Sequence, residues 1–318
     1  MNAFQKTALA TLAATILLIT VGSLVRITGA GLGCPDWPRC WGSWLPPASV
    51  EALDMAYVRE KGYDPADFNA VKMWTEYANR LVGVVIGILV FATFLRSFRY
   101  RKTQPAVFYC AGLCFVLVGF QGWLGGQVVI SGLQPGIITL HMALAVILLC
   151  LLLFVTFQSM QQRLRVELTG RGRSVLMRLG LVLLAVTAIQ VLIGTQVREG
   201  IDPFIKDDAG LPRGDWLAQV GLVDHVHRFS SWLVLIAGVL LYRAVRRHGM
   251  VGQRHGTAGQ LHAAARFILA AILLQIALGV VLAYGGLPPG AQVLHLSLAT
   301  LLVCGECLFL LMVRASRG

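Results

Sequence analysis

Eight stretches of this chain are apolar enough and long enough to cross a bilayer as helices: about 8–26, 76–96, 107–130, 137–158, 175–196, 221–243, 264–284 and 291–313. A hydrocarbon core of roughly 30 Å takes about 20 residues of helix. Lipid offers no partners to open backbone N–H and C=O groups, so each span has to be a helix. The fold class is therefore an all-α integral membrane protein with eight transmembrane helices. Composition agrees: 57% of the residues are hydrophobic and only 13% charged, with mean hydropathy +0.72, which is far from a soluble domain. The first span runs on into Gly-rich sequence without a small-residue cleavage site, so it is read as a retained helix rather than a signal peptide.

The spans are organised by a duplication. Gln121–Ala145 reappears as Gln275–Ala299 at an offset of 154, with 11 of 25 positions identical, among them Gln121/Gln275, Gly125/Gly279, Pro135/Pro289 and His141/His295. Gly22-Ser-Leu-Val-Arg26 is echoed by Gly194-Thr-Gln-Val-Arg198. Spans 1 and 5 run in the same direction, so the repeat is parallel, with its axis along the membrane normal. The expectation is two parallel-repeat four-helix bundles, residues 1–160 with a long outer loop and residues 161–318.

Charge gives orientation. Arg96, Arg99, Arg101 and Lys102, then Arg163, Arg165, Arg171 and Arg173, then Arg243, Arg246, Arg247 and Arg254 fall on one side, with Lys6, Arg314 and Arg317. That side is read as cytoplasmic, which places both termini there. The net charge of +12 is then a matter of topology, and no nucleic-acid motif accompanies it. The long loops, roughly 27–75 and 197–220, face outward.

Depth makes the histidines informative. His141, His227 and His295 each fall within about two turns of the outer end of spans 4, 6 and 8. The fourth helix of that set carries Asn79, because Asn79-Arg80 matches His227-Arg228. Two imidazoles facing each other across an apolar bundle suit the axial positions of haem iron. Zinc takes more ligands, and no Cys or carboxylate cluster completes such a site. His141 taken alone is read as a hydrogen bond to a neighbouring helix; the repeated pair His227/His295 is read as haem ligands. Arg228 and Arg80 stand beside this layer as counter-charges for propionates.

Glu76 lies three residues before Asn79, on the same helical face. Two readings stand for it: a group for chemistry on a bound ligand, or a charge near a helix N-terminus. Asp224 repeats the placement three residues before His227, and His225 sits off the register. Glutamines 121, 190 and 275 are read as helix-joining groups. Cys304 and Cys307 beside Glu306 are read as packing residues, and His248, His255 and His262 as solvated. Cys34 and Cys40 stand in the outward loop, where an oxidising exterior favours their disulfide. Either a redox-active pair or a staple for a Pro- and Trp-rich loop is consistent with the spacing.

These residues resemble the haem A synthases of the aerobic respiratory chain over essentially the whole chain. The resemblance rests on Arg26-Ile-Thr-Gly-Ala-Gly-Leu-Gly-Cys-Pro-Asp-Trp-Pro-Arg-Cys40, Glu76-Tyr-Ala-Asn-Arg80, Leu140-His141, Leu294-His295 and His227-Arg228. It implies haem b between His227 and His295 and the substrate haem O near Glu76 and His141. It further implies stepwise oxidation of a ring methyl to a formyl group, giving haem A for cytochrome c oxidase, with Glu76 matching an acidic residue important for that reaction. Electron transfer between the two haems, a bacterial cytoplasmic membrane, a haem O synthase and oxidase assembly factors are implied with it. The chain departs from the pattern at Asn79, where many members carry a second His, and in the later outer loop, which lacks a second cysteine pair. With His141 as the one imidazole, the substrate iron is left an open or water-bound sixth position. The competing reading is a non-enzymatic haem carrier or b-type electron-transfer cytochrome. A transporter built from parallel repeats has no specific support. Lipid-facing and subunit-facing surfaces look alike, so oligomeric state stays open.

Overall fold

The computed structural model describes residues 1–160, 168–206, 210–248 and 257–316; Arg163, Arg165, Arg254, His255 and Arg317 lie outside the described residues. Among these residues the regular structure is helical, apart from an isolated bridge between Cys40 and Ser43. The helices are α1 (Ala3–Ile27), α2 (Met55–Lys61), α3 (Ala70–Ser97), α4 (Pro105–Ile130), α5 (Pro135–Met160), α6 (Gly170–Lys206), α7 (Trp216–Val220), α8 (Leu222–His248), α9 (Thr257–Tyr284) and α10 (Pro289–Ala315). All but α2 and α7 are long and apolar enough to cross a membrane.

The chain divides into two compact units, Met1–Leu149 and Cys150–Gly318. In unit 1, Asn2 starts α1 with a capping box, its side chain accepting from Gln5 N at 2.9 Å while Gln5 Oε1 accepts from Asn2 N. Helix α1 packs on α3 and α3 on α4. Thr11 and Thr93 join α1 to α3 through their hydroxyls at 2.8 Å, and Arg96 reaches the Thr7 hydroxyl from the same face. The first part of α5 is tied back by Arg26 Nη1, which donates to Met142 Sδ. In unit 2, α6 packs on α8, α8 on α9, α9 on α10 and α10 on α6, a closed ring of four. Leu176, Leu183, Leu241, Leu261 and Phe309 lie buried in its core.

Two helix-to-helix turns share an unusual backbone. Gly132 and Leu133 have φ 64° and 65°, and Gly286 and Leu287 have φ 72° and 55°. Left-handed backbone costs a non-glycine residue about 1–2 kcal/mol, and packing of the leucine side chain, buried at Leu287 and partly buried at Leu133, compensates. Leu287 sits with Val197, Ile201, Trp216 and Leu217 in a buried cluster. Leu133 packs where a Cβ on Gly31 would lie 3.3 Å from it. Pro135 and Pro289 then open α5 and α10, a first-turn position that needs no N–H donor.

The expected outer loop 197–220 is in good part helix. Helix α6 has 37 residues and continues through Pro203 to Lys206, about 55 Å of helix. Val197, Ile201, Phe204 and Ile205 recur at helical spacing and pack on Trp216 and Leu217, and Arg198 pairs with Asp202 one turn on at 3.1 Å. An apolar stripe and an i,i+4 ion pair carry the helix past the proline.

The first outer segment has its own small core: Cys34, Cys40, Trp41, Leu53, Val58 and Met73 are buried together. Gly33 passes directly over the first turn of α3, where a Cβ would lie 2.4 Å from Lys72 C and 2.5 Å from Met73 N. Gly33→Ala is therefore expected to lift the segment off α3 at a cost of about 1–3 kcal/mol. The measurement is thermal unfolding in detergent together with trypsin cleavage between Arg39 and Lys72; unchanged cleavage and an unchanged midpoint would contradict the seating described.

Candidate functional site

In unit 1 the site begins with the cap of α3. Asn69 accepts from Lys72 N at 3.0 Å, so the helix starts early enough to bring Glu76, Asn79 and Arg80 round in its second and third turns. Glu76 is 4% exposed. Its Oε2 accepts from the backbone N–H of Cys34 at 2.9 Å, and its Oε1 accepts from Arg80 Nε at 3.1 Å and Arg80 Nη2 at 2.5 Å. The same guanidinium donates to the carbonyls of Arg39 at 2.8 Å and Asp36 at 2.9 Å. The carboxylate expected to serve chemistry is thus also a latch for the cysteine segment. Arg80, expected as a counter-charge for propionates, has its donors directed to Glu76 and that segment.

The latched segment is closed by the Cys34–Cys40 disulfide, with Cα atoms 4.7 Å apart. Sequence reasoning missed its organiser, Asp36, which accepts from Trp41 N at 2.6 Å, Gly42 N at 2.8 Å and the Tyr57 hydroxyl at 3.1 Å. Burial and then the Asp36 charge push the Tyr57 phenol up to about 12, so it stays a donor at physiological pH. Trp41 Nε1 donates back to Gly33 O at 2.9 Å. The Trp37 ring lies against α4 where a Cβ on Gly126 would come within 2.6 Å of it. One residue earlier, Gly125 faces the His141 ring, with Cε1 3.5 Å from a Cβ placed there. The segment therefore packs on α4 one residue along from the glycine that faces His141.

Each of the four candidate ligand positions faces a glycine on a neighbouring helix. Asn79 Oδ1 lies 4.0 Å from a Cβ placed on Gly22, His227 Cε1 3.0 Å from one on Gly194, and His295 Cε1 3.8 Å from one on Gly279. The signal was present in the sequence, as these glycines are the repeat pairs Gly22/Gly194 and Gly125/Gly279.

The glutamines do join helices, and they join them at the histidines. Gln121 Nε2 donates to His141 O at 3.0 Å. Gln190 Nε2 donates to His227 O at 2.7 Å and lies 3.2 Å from His227 Nδ1. Ser230 completes this second arrangement by donating to Gln190 Oε1 at 2.5 Å. His141 Nδ1, His295 Nδ1, Gln275 Oε1 and Asn79 Oδ1 are buried atoms with no hydrogen-bond partner.

In unit 2 the rings of His227 and His295 have centroids 6.5 Å apart. A metal held about 2 Å from one nitrogen of each ring sets the centroids roughly 6 Å apart, so the pair has the spacing to share one metal. Among the described residues no group of three or more His, Cys, Asp or Glu could hold a metal ion, so any metal here needs its remaining ligands from a cofactor. Asp224, 5% exposed, pairs with Arg228 at 2.5 Å, which repeats the Glu76–Arg80 spacing. Arg228 also lies over the Tyr284 ring at 5.9 Å and keeps about a third of its side chain exposed. His225 is exposed beside this layer. Away from it, Glu306 accepts from the Thr187 hydroxyl at 2.8 Å, and Cys307 Sγ lies 3.4 Å from Cys150 Sγ.

The sequence profile of the family described as cytochrome oxidase assembly protein matches residues 5–305. The chain belongs to that family. Relatives named heme A synthase include one from Roseobacter denitrificans, 27% identical over 332 residues covering 91% of this chain and 82% of that protein. One from Caulobacter vibrioides is 28% identical over 93% of this chain and 92% of its own length. The match to the heme A synthase of Shewanella oneidensis is 28% identical over 70% of this chain and spans 64% of that protein. For this cytochrome oxidase assembly family member, the family match takes in both units and every residue of the ligand layer.

The latch gives a stability prediction. Glu76→Ala leaves Arg80 and the Cys34 N–H without their acceptor, at a cost of about 3 kcal/mol, whereas Glu76→Gln still offers an oxygen to the N–H and costs about half as much. Hydrogen exchange at Cys34–Gly42 checks this; equal protection in Glu76→Ala and wild type would overturn the latch.

Proposed function

We propose that this chain is a haem A synthase, which oxidises a ring methyl of haem O to a formyl group in an outer pocket of unit 1 and carries haem b in unit 2. The observation that carries the reading is the family match over 5–305, joined to relatives named heme A synthase. The spacing of His227 and His295 and the unpartnered His295 Nδ1 support their holding haem b. That cofactor supplies one-electron redox chemistry when bound. Gln190 holds His227 from the side away from the pair. Arg228, partly exposed, supplies positive charge where propionates meet water.

In unit 1, His141 is the proposed ligand of the substrate iron, and Gln121 fixes its backbone. Glu76 is the proposed acid–base group next to the reacting methyl; its bonds to Arg80 and Cys34 N hold it in a fixed direction. The Cys34–Cys40 segment and Trp37 exclude water from the outer end. In this reading the disulfide is a structural staple, because Asp36 and Trp41 organise the segment around it. The matching turns, glycines and acid–arginine pairs in the two units support a parallel duplication. The basic ends of α3, α8 and α10 support cytoplasmic termini in a bacterial inner membrane, with a haem O synthase and oxidase assembly factors as partners.

The test is haem extraction and chromatography on the full chain, co-expressed with a haem O synthase. Wild type is expected to yield haem b together with haem O, haem A or an oxidised intermediate. His227→Ala and His295→Ala are expected to lose haem b. Glu76→Gln is expected to keep haem O and lose its oxidation products by about 100-fold or more. Haem b alone under every condition would replace this reading with a b-type electron-transfer cytochrome.

A further inference from the structure

The two units differ at one corner of their ligand layers, and the difference involves three residues. In unit 2, His227 is held by Gln190, which is itself held by Ser230. The Gly22/Gly194 repeat puts Leu18 where unit 2 has Gln190, and the Asn79/His227 repeat puts Val82 where it has Ser230. The polar set Gln–His–Ser is thus replaced by Leu–Asn–Val, while the glycine facing it is kept at Gly22. The opposite corner is unchanged in kind: Gln121, Gly125 and His141 in unit 1, Gln275, Gly279 and His295 in unit 2. A lone His-to-Asn change would keep the bonds of Gln190 to the residue-227 carbonyl and to Ser230, so nothing polar would force those positions to follow. In unit 1 all three positions differ, and the corner offers a carboxamide among apolar neighbours.

The Asn79 side chain shows what is missing from it. Its Oδ1 is buried and has no hydrogen-bond partner, and an unmet buried acceptor costs about 1–3 kcal/mol. A carboxamide offers one acceptor and two donors, a poor ligand for haem iron and a suitable hydrogen-bonding group for a small molecule bound to it. We propose that unit 1 gives its haem a single protein ligand, His141, and that Asn79 hydrogen-bonds a small exogenous ligand at the opposite position, Oδ1 accepting from water and Nδ2 donating to an acceptor of the dioxygen or cyanide class. This rests on the haem-binding reading of unit 1. It makes Asn79 a positioning residue at an external-ligand site that unit 2 would lack, because His227 and His295 would both hold the haem there. Polarity and donors facing the open side of a haem decide whether it takes a small ligand.

The experiment is ferric electron paramagnetic resonance and visible spectroscopy of the full haem-loaded chain, with cyanide as the probe. Wild type is expected to show one low-spin bis-imidazole haem and one high-spin haem, and cyanide to convert only the high-spin species. The variants are Asn79→His and Leu18→Gln/Asn79→His, the second restoring the glutamine that steadies His227. Either is expected to turn the high-spin signal into a second low-spin one. An internal imidazole that occupies the position about 99% of the time weakens apparent cyanide affinity about 100-fold. Two low-spin bis-imidazole haems in wild type, or cyanide binding unchanged in haem-replete variants, would overturn the external-ligand site and leave the haem-binding reading standing. A single haem, lost in His227→Ala and unaffected by His141→Ala, would overturn both.

Discussion

A polar group inside a lipid-embedded bundle has no solvent to fall back on, and the architecture follows from how this chain meets that demand. The threonines of α1 return their hydroxyls to carbonyls one turn earlier, as Thr11 does to Thr7 O at 2.8 Å and Thr15 to Thr11 O at 2.8 Å. The two buried carboxylates of the outer layer each take an arginine one turn on. Glutamines meet the histidine carbonyls of neighbouring helices. Among the described residues the unpartnered buried acceptors include His141, His295, Asn79, Gln121 and Gln275 in or beside the ligand layer, and Gln104 and Glu306 away from it. The rule is kept across most of the described residues and is relaxed chiefly at the candidate ligand layer.

Much of this was legible in the sequence because the controlling signals are long-range and redundant. Span length fixed eight helices, and an offset of 154 paired Gln121 with Gln275 and His141 with His295 before any coordinates. Helix ends were less legible. The extension of α6 past Pro203 was hidden by the proline and by charges at Arg198, Glu199 and Asp202, although Val197, Ile201, Phe204 and Ile205 kept the helical period. The role of Glu76 was half visible: its depth and its spacing to Arg80 could be read, but the Cys34 N–H that binds it lies 42 residues away. Asp36 left no pattern, because it organises a non-repeating loop through backbone N–H groups that any residue type supplies.

The glycines show what lies between those extremes. Gly22, Gly125, Gly194 and Gly279 were visible as repeat identities without a stated reason. The reason is steric: each borders the ring or carboxamide of the ligand layer, and the tightest approach, at Gly194, leaves about 3.0 Å for a methyl carbon. Small residues let membrane helices come close; here they let them come close at the level of the candidate ligand layer.

The cysteine segment has a consequence for how the protein is made. Its internal bonds join Gly33, Asp36, Trp41, Gly42 and Tyr57, and its anchor points are Glu76 and Arg80. Its internal bonds and its latch to α3 are therefore encoded in the first 80 residues, ahead of α4 and His141. As the nascent chain emerges, this cap on α3 is specified before His141 has been synthesised. The cap can therefore fold and latch onto α3 before α4 supplies Gly126, the surface against which Trp37 comes to rest.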